Sequence, residues 1–545
     1  MMRKEIEKEY GDVDVDGETG PTATNEYNLA TQHDQLERGL KSRHIQFLAL
    51  GGAIGTGLFV GSGSILSASG PAPLFMGYCS MMILVWCIMN VLAEMVTYLP
   101  MRGITVPYFV TRFVDPSLGF AAGWNYWYAY SMLVGAEAVA AGIIIDYWSP
   151  PVNMALWIAI VLVVMLLLNI IAVSFFGEAE FWFASIKLIL IMGLIILGWV
   201  IFFGGGPNQT EVRGFYYYKT PGAFTEYNAS GHTGKFLAYW HAFASCGFAF
   251  ITSPELIAIA AGETVAPRRN IPKAARRFIW RLAIFYGVSS LLIGILVPYN
   301  EKALGSAGNA SASPWVIGIQ NAGIPVLNHI INACILTSAW SAGNSFLYSG
   351  SRILYSLSLS GQAPKIFSRT NAKGVPWLAV LATWAIGLLA FLNVSPDGAK
   401  VFNWFMNIST ISGYIAWIVV LITYIRFRKA MELNNLLSSL PYKTRFQPYF
   451  TYFTLFVISL LTLTNGFQIF IPKNWNVQDF LAAYITIPIF LVFYLGHKIW
   501  FRTPFYIPID QIDVTTGKKE MDELEARDVP PVPRNLLEKI WFWVA

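Results

Sequence analysis

Charged residues are scarce in this chain. Asp, Glu, Lys and Arg make up 13% of its 545 residues against 55% hydrophobic ones, and the mean hydropathy is +0.50. That leaves too little polar surface to cover soluble domains of the same total size, so the sequence reads as an integral membrane protein. Cysteine is nearly missing too. The four present, Cys79, Cys87, Cys246 and Cys334, all fall in apolar runs and read as small hydrophobes, so nothing points to a disulfide or a metal site. Residues 1–35, rich in Asp, Glu, Thr and Gly, lack an apolar h-region, and no cleavable signal is expected there. The glycine-rich stretch has neither a phosphate-loop lysine nor a strand–turn–helix setting, which argues against nucleotide binding. No nucleophile–base set argues for an enzyme, and no cofactor is implied. The net charge of +5 is too small to imply a nucleic-acid partner.

What the chain does have is apolar runs of roughly 20 residues, the length that crosses a hydrocarbon core of about 30 Å at about 1.5 Å per helical residue. About twelve recur, approximately at 45–68, 73–97, 118–145, 154–176, 182–203, 237–261, 279–299, 325–350, 376–394, 400–425, 449–471 and 478–500. The expected fold is an all-α bundle of about twelve transmembrane helices set in a lipid bilayer.

Basic residues set the orientation. The connection between spans 6 and 7 carries Arg268, Arg269, Lys273, Arg276 and Arg277, and that between spans 10 and 11 carries Arg426, Arg428, Lys429, Lys443 and Arg445. The connection from Asp146 to Asn153 has no lysine or arginine. This bias puts both termini in the cytoplasm. The organisation is then a disordered N-terminal tail over 1–40, a helical domain over 41–500 and a C-terminal tail over 501–545. The tails are where cytoplasmic regulatory or trafficking factors are expected, with Lys4 and Lys8 as acceptors for modification. Three Asn-x-Ser/Thr triplets, at Asn208, Asn228 and Asn309, fall in loops assigned to the outside and are candidate glycosylation sites.

Two spans contain helix breakers. The first holds Gly51-Gly52-Ala53-Ile54-Gly55-Thr56-Gly57-Leu58-Phe59, and the sixth holds Ser253-Pro254-Glu255 after Gly247-Phe248-Ala249-Phe250-Ile251. Glycine loosens a helix, and proline removes a donor and clashes with the preceding turn. Small residues at four-residue spacing also let helices pack closely, which is the plainer account of the glycines. The two breaks, however, occupy matching positions in two five-helix halves, the arrangement that marks a transporter binding site. A half-helix starting near Thr56 and Gly57 aims N–H groups and a positive dipole end at an anion. Carbonyls around Ala53, Ile54, Phe250 and Ile251 would face an ammonium group. A zwitterion fits such poles.

These residues resemble the fungal amino acid permeases of the amino acid–polyamine–organocation superfamily. The likeness runs almost end to end. It includes Met101-Arg102-Gly103, Arg112-Phe113-Val114-Asp115-Pro116, Gly123-Trp124-Asn125-Tyr126-Trp127, Ser185-Ile186-Lys187, Ala260-Ala261-Gly262-Glu263 and the stretch from Ser341 to Pro376. The resemblance implies a five-plus-five inverted-repeat core with two additional C-terminal helices. It also implies proton-coupled uptake of amino acids at the plasma membrane, with the proton as coupling ion. Two departures stand out. Ser253-Pro254 replaces a glycine–threonine pair that many relatives carry before the glutamate, so substrate preference does not carry over. The aromatic end Trp541-Phe542-Trp543-Val544-Ala545 lacks a final cysteine, and lipidation there is not expected.

Ionisable residues within the membrane are costly, by about 2.5–3.5 kcal/mol on insertion scales, and each needs a reason. Proton-coupled relatives place a lysine at the position of Lys187 where sodium-coupled members hold a cation, so Lys187 is a candidate proton carrier; snorkelling to the cytoplasmic edge is the alternative. Glu255 and Glu137 are candidates for gating or proton transfer, with structural pairing as the other reading. Glu94 reads first as structural. Phe250 is a candidate gate or an ordinary packing residue. Ser341 with Asn344 and Ser345, and Asn407, Ser409, Thr410 and Ser412, offer polar groups to the pocket or hydrogen bonds between helices. The expected activity is uptake of L-amino acids by alternating access, with neutral or broad specificity. A receptor of the same fold that binds without transport is the alternative, disfavoured by the short N-terminal extension.

Overall fold

The computed structural model describes residues 55–526 and 535, apart from 101–104, 172, 210, 256–266, 306–312, 325, 373, 395–397 and 473. Among them every regular element is helical. The spans correspond to α1 (Gly57–Ser69), α2 (Pro71–Tyr98), α4 (Pro116–Asp146), α5 (Met154–Ile171), α6 (Val173–Phe202), α7 (Gly231–Cys246), α8 (Pro267–Leu296), α10 (Leu327–Leu359), α11 (Trp377–Leu392), α12 (Gly398–Leu433), α13 (Tyr449–Thr464), and the pair α14 (Val477–Tyr484) and α15 (Thr486–Phe501). Short helices α3 (Val106–Phe113) and α9 (Pro314–Asn321) lie between them, and α16 (Lys518–Ala526) follows.

Among the described residues six helices are long and apolar enough to cross a membrane, and α14 with α15, bent by 47°, makes a seventh span. Helices α1, α11 and α13 are apolar but shorter. Helix α7 is the first part of a broken span, and α10 is long but carries serines and asparagines that lower its hydropathy. Every expected span is thus occupied. The bend at Ile485 has a local cause: Pro488 disfavours helix at the residue before it and cannot donate to the preceding turn. Several helices outrun the apolar runs. Helix α12 continues to Leu433 and α10 to Leu359, because a helix projecting from the bilayer keeps its backbone bonds when its side chains turn polar.

Packing separates the spans into two groups. Helix α4 lies along α10, α11, α12 and α15, while α2 lies along α7 and α8 and also touches α12 and α13, where the two groups meet. Helices α4 and α10 are spans 3 and 8, equivalent members of two five-helix halves. Both α4 and α2 are largely enclosed, whereas α5 and α6 expose long apolar faces, as lipid-facing helices do.

One end of the bundle, here the basic face, collects the connections that follow spans 2, 6 and 10. Glu94, fully buried near the end of α2, accepts from Tyr424 Oη at 2.6 Å and Thr444 N at 2.6 Å, and also from Thr444 Oγ1. Its carboxylate ties the loop after α12 to α2, the structural role the sequence suggested. Asp115 caps α4 through Ser117 N and Leu118 N and pairs with buried Lys498 at 2.9 Å. Residues 505–526, expected as part of a tail, pack against this face, with Ile512 and Val514 buried in it.

Candidate functional site

Helix α1 begins with one widened π turn, Gly57–Gly61, at the end of the glycine run. Thr56, just before it, donates from Oγ1 to Glu137 Oε1 at 2.9 Å, across to the middle of α4. A Cβ placed on Gly55 would lie 3.9 Å from the same oxygen. Glu137 Oε2 is buried and has no hydrogen-bond partner in the structure, so this carboxylate has acceptor capacity to spare next to the break. Ala53 and Ile54, expected to offer carbonyl acceptors to the site, lie outside the described residues.

The sixth span stops at the facing level. Helix α7 ends at Cys246, a short 3₁₀ turn covers Gly247–Ala249, and the chain turns through 251–254 to Glu255. The backbone keeps right-handed helical angles through Phe250 and leaves them at Thr252, two residues before Pro254. Packing there leaves no room for a side chain: a Cβ on Gly247 would stand 2.0 Å from Tyr414 Oη, and that hydroxyl donates to Ala244 O at 2.6 Å. Thr252 holds φ at +66°, a left-handed conformation that a β-branched residue adopts only under constraint.

The start of α1 and the interrupted region of the sixth span touch backbone to backbone. A Cβ on Gly57 would fall 2.8 Å from Ala249 Cα. Such contact sets the N-terminal end of α1, with its partial positive charge, against the C-terminal end of α7, with its partial negative charge. Tyrosine hydroxyls bond carbonyls on both sides of this contact, Tyr78 Oη donating to Gly57 O at 3.2 Å and Tyr286 Oη to Ala249 O at 3.0 Å. Phe250 is fully buried between these rings, its centroid 4.5 Å from that of Tyr286 and 5.8 Å from that of Tyr78. Phe250 O accepts from Ser253 N at 3.2 Å. Ser253 Oγ is buried with no hydrogen-bond partner in the structure.

Lys187 is fully buried on α6. Glu255 is buried, and Tyr126 Oη of α4 approaches its Oε1 at 3.4 Å. Ser341 is buried on α10. Thr56, Glu137, Lys187, Phe250, Ile251, Ser253, Glu255 and Ser341 are each 4% exposed or less, so the region is closed to solvent.

Other polar candidates mainly serve packing. Asn169 donates to Asn344 Oδ1 at 2.7 Å, joining α5 to α10. Ser412 Oγ donates to Asn125 Oδ1 at 2.9 Å while Asn125 Nδ2 donates to Ser412 O at 3.0 Å, joining α12 to α4. Ser345 and Ser409 keep buried hydroxyls without a hydrogen-bond partner. Asn208 and Asn228 are exposed on loops, Asn208 with its side chain against Gly323; Asn309 lies outside the described residues. Sequence reading missed Tyr78, Tyr286 and Tyr414. Each is one of 26 tyrosines, and nothing in its local pattern distinguishes it.

A family model described as amino acid permease matches residues 44–506. The chain is 56% identical over 519 residues to a proline-specific permease of Emericella nidulans, covering 94% of both proteins. It is 57% identical over 500 residues to a probable proline-specific permease, put4, of Schizosaccharomyces pombe, covering 91% of this chain and 90% of that one. Against a proline-specific permease of Saccharomyces cerevisiae the identity is 49% over 534 residues, covering 95% of this chain and 84% of the relative. The twelve-span helical architecture and the meeting of two helix breaks are thus those of an integral membrane protein that belongs to the amino acid permease family.

Proposed function

We propose that this chain takes up an amino acid, L-proline foremost, across the plasma membrane by proton-coupled alternating access, with both termini in the cytoplasm. The observation that carries the site assignment is the contact of Gly57 with Ala249, which joins the positive end of α1 to the negative end of α7. The substrate carboxylate takes the N–H groups at Thr56 and Gly57, and its ammonium takes the junction carbonyls and the free edge of Glu137. Proline as substrate rests on the relatives named above. Its compact apolar ring suits the Phe250–Tyr78–Tyr286 cluster, and its secondary ammonium asks for fewer acceptors than a primary amine.

Lys187 is the proton carrier in this reading. Buried Lys187 on α6 and buried Glu137, which itself accepts from Thr56, are the ionisable groups through which protonation would reach the start of α1. Because the region is closed in this conformation, passage requires it to open to each side in turn. Radiolabelled L-proline uptake into a permease-deficient fungal cell, competed by a panel of unlabelled amino acids, tests the substrate. Binding without accumulation would sink transport, and competition by unrelated amino acids as strong as by proline would sink the preference. Lys187→Ala is expected to abolish accumulation driven by a pH gradient; accumulation that keeps its full pH dependence refutes the coupling role.

A further inference from the structure

We infer that residues 507–522 form a strap across the basic face that ties the two packed groups of spans together and must release before the site opens to that side. This rests on the alternating-access reading above. The first half of the strap is anchored on the α3, α4 and α12 side. Ile507 N donates to Val114 O at 2.9 Å, and Arg426 of α12 donates from Nε to Phe113 O at 2.8 Å and from Nη2 to Ile507 O. Arg112 of α3, nearly buried, donates to Asp513 O at 2.8 Å and Thr516 O at 2.9 Å and pairs with Asp513 Oδ2 at 3.0 Å. Buried Ile512 and Val514 complete this anchor.

The second half crosses to the other group. Asp522, on α16, pairs with Arg268 at 2.5 Å, and Arg268, at the start of α8, donates to Thr97 O and Tyr98 O at 3.1 Å each, gripping the end of α2. One continuous segment therefore holds α12 at Ile507, α3 at Asp513, and α8, which grips the end of α2, at Asp522. Spans 1 and 6 pack with α2 and α8, since α7 lies along α2 and Tyr78 and Tyr286 reach the breaks from α2 and α8. Opening the site toward the basic face moves this group against the α4 group, and that lengthens the path the strap bridges. The crossing is asymmetric by construction. The Asp513 end is sealed by buried side chains, whereas Asp522 is half exposed and sits on a helix of nine residues. The Asp522 end is the one that releases.

The test uses the full chain with its four native cysteines replaced and one cysteine introduced at Ser253, a buried position at the break. In inside-out vesicles, labelling by a membrane-impermeant thiol reagent reports opening to the basic face. Asp522→Asn is expected to raise the labelling rate by about two- to fivefold, the population shift that a half-exposed ion pair supplies. Lys518→Ala removes only the 2.6 Å pair within α16 and is expected to leave the rate unchanged. An Asp522→Asn rate equal to that of the parent, or an equal rise with Lys518→Ala, overturns the strap. Should Ser253→Cys prevent folding, Ser345→Cys, also buried with an unpartnered hydroxyl, takes its place. Uptake is measured separately in the chain with Ser253 and the native cysteines intact, so absence of proline transport there counts against the transport reading and not against the strap.

Discussion

Gly57→Ala probes the junction with the smallest chemical change available. The added methyl carbon would lie 2.8 Å from Ala249 Cα, 2.9 Å from its Cβ and 3.2 Å from its N. Carbon pairs rest at about 3.5–4.0 Å, so α1 and the 3₁₀ turn must part by about 0.7–1.2 Å. No rotamer relieves the contact, because two of the three atoms are backbone. Overpacking of this kind costs about 1–3 kcal/mol. At about 1.4 kcal/mol per factor of ten, the paired arrangement becomes about five- to 150-fold less populated. The bonds of Tyr78 to Gly57 O and of Thr56 to Glu137 shift with it. The assay is the initial rate of radiolabelled proline uptake, normalised to the amount of surface protein, beside the control Gly193→Ala, whose added methyl meets nothing within 4 Å. Uptake by Gly57→Ala is expected to fall by at least about fivefold and the control to keep its rate. If the variant reaches the surface and stays within about twofold of the parent, the two breaks do not need this contact and the reasoning fails.

Thr56→Val keeps the shape but removes the donor to Glu137, whose other oxygen already has no hydrogen-bond partner. Leaving the buried carboxylate bare costs about 1.5–3 kcal/mol, so uptake should drop steeply while Thr56→Ser restores most of it. Glu94→Gln sets an amide against three donors, from Tyr424 and from the backbone and side chain of Thr444. It should lower thermal stability by about 1.5–3 kcal/mol with the KM for proline unchanged; a raised KM with intact stability would place Glu94 in transport instead of structure. Strap docking should resist mild acid. Partial burial by itself raises the Asp513 carboxyl, but hydrogen bonds from Thr516 and the charge of Arg112 hold it below the usual carboxylate range, and for Asp522 Lys518 and Arg268 outweigh a slight burial in the same way. A depressed carboxylate stabilises the docked state above its unfolded value and loses that stability as pH falls through the folded one, so docking persists down to about pH 4 and weakens only below it. Hydrogen exchange of α16 that accelerates between pH 7 and 5 would contradict this.

Much of the protein was legible in one dimension, for a physical reason. A bilayer demands long apolar runs whose backbone bonds close locally, so the twelve spans from the first glycines to residue 500 follow from hydropathy alone. The breakers were equally visible, because glycine and proline act on the backbone wherever they stand. Buried charges at Glu137, Lys187 and Glu255 announced themselves as exceptions to a strong rule. Pairwise approach was not legible. Proline explains why the sixth span cannot continue past Pro254, but not why position 247 is glycine: Tyr414, from a helix more than 160 residues away, occupies the space a side chain there would need. The tyrosines that cap Gly57 O and Ala249 O come from α2 and α8, and the partner of Thr56 lies 81 residues on. The strap was hidden for the same reason. Its aspartates sit in an ordinary polar stretch, and only the folded bundle brings Arg112 and Arg268 to either end of it. The sequence by itself determined that the chain spans the membrane, how many times, and which two spans are broken, since these depend on local composition. Only tertiary structure decided that the breaks meet, what fills the space between them, and what holds the basic face together, since those contacts join residues that composition leaves independent.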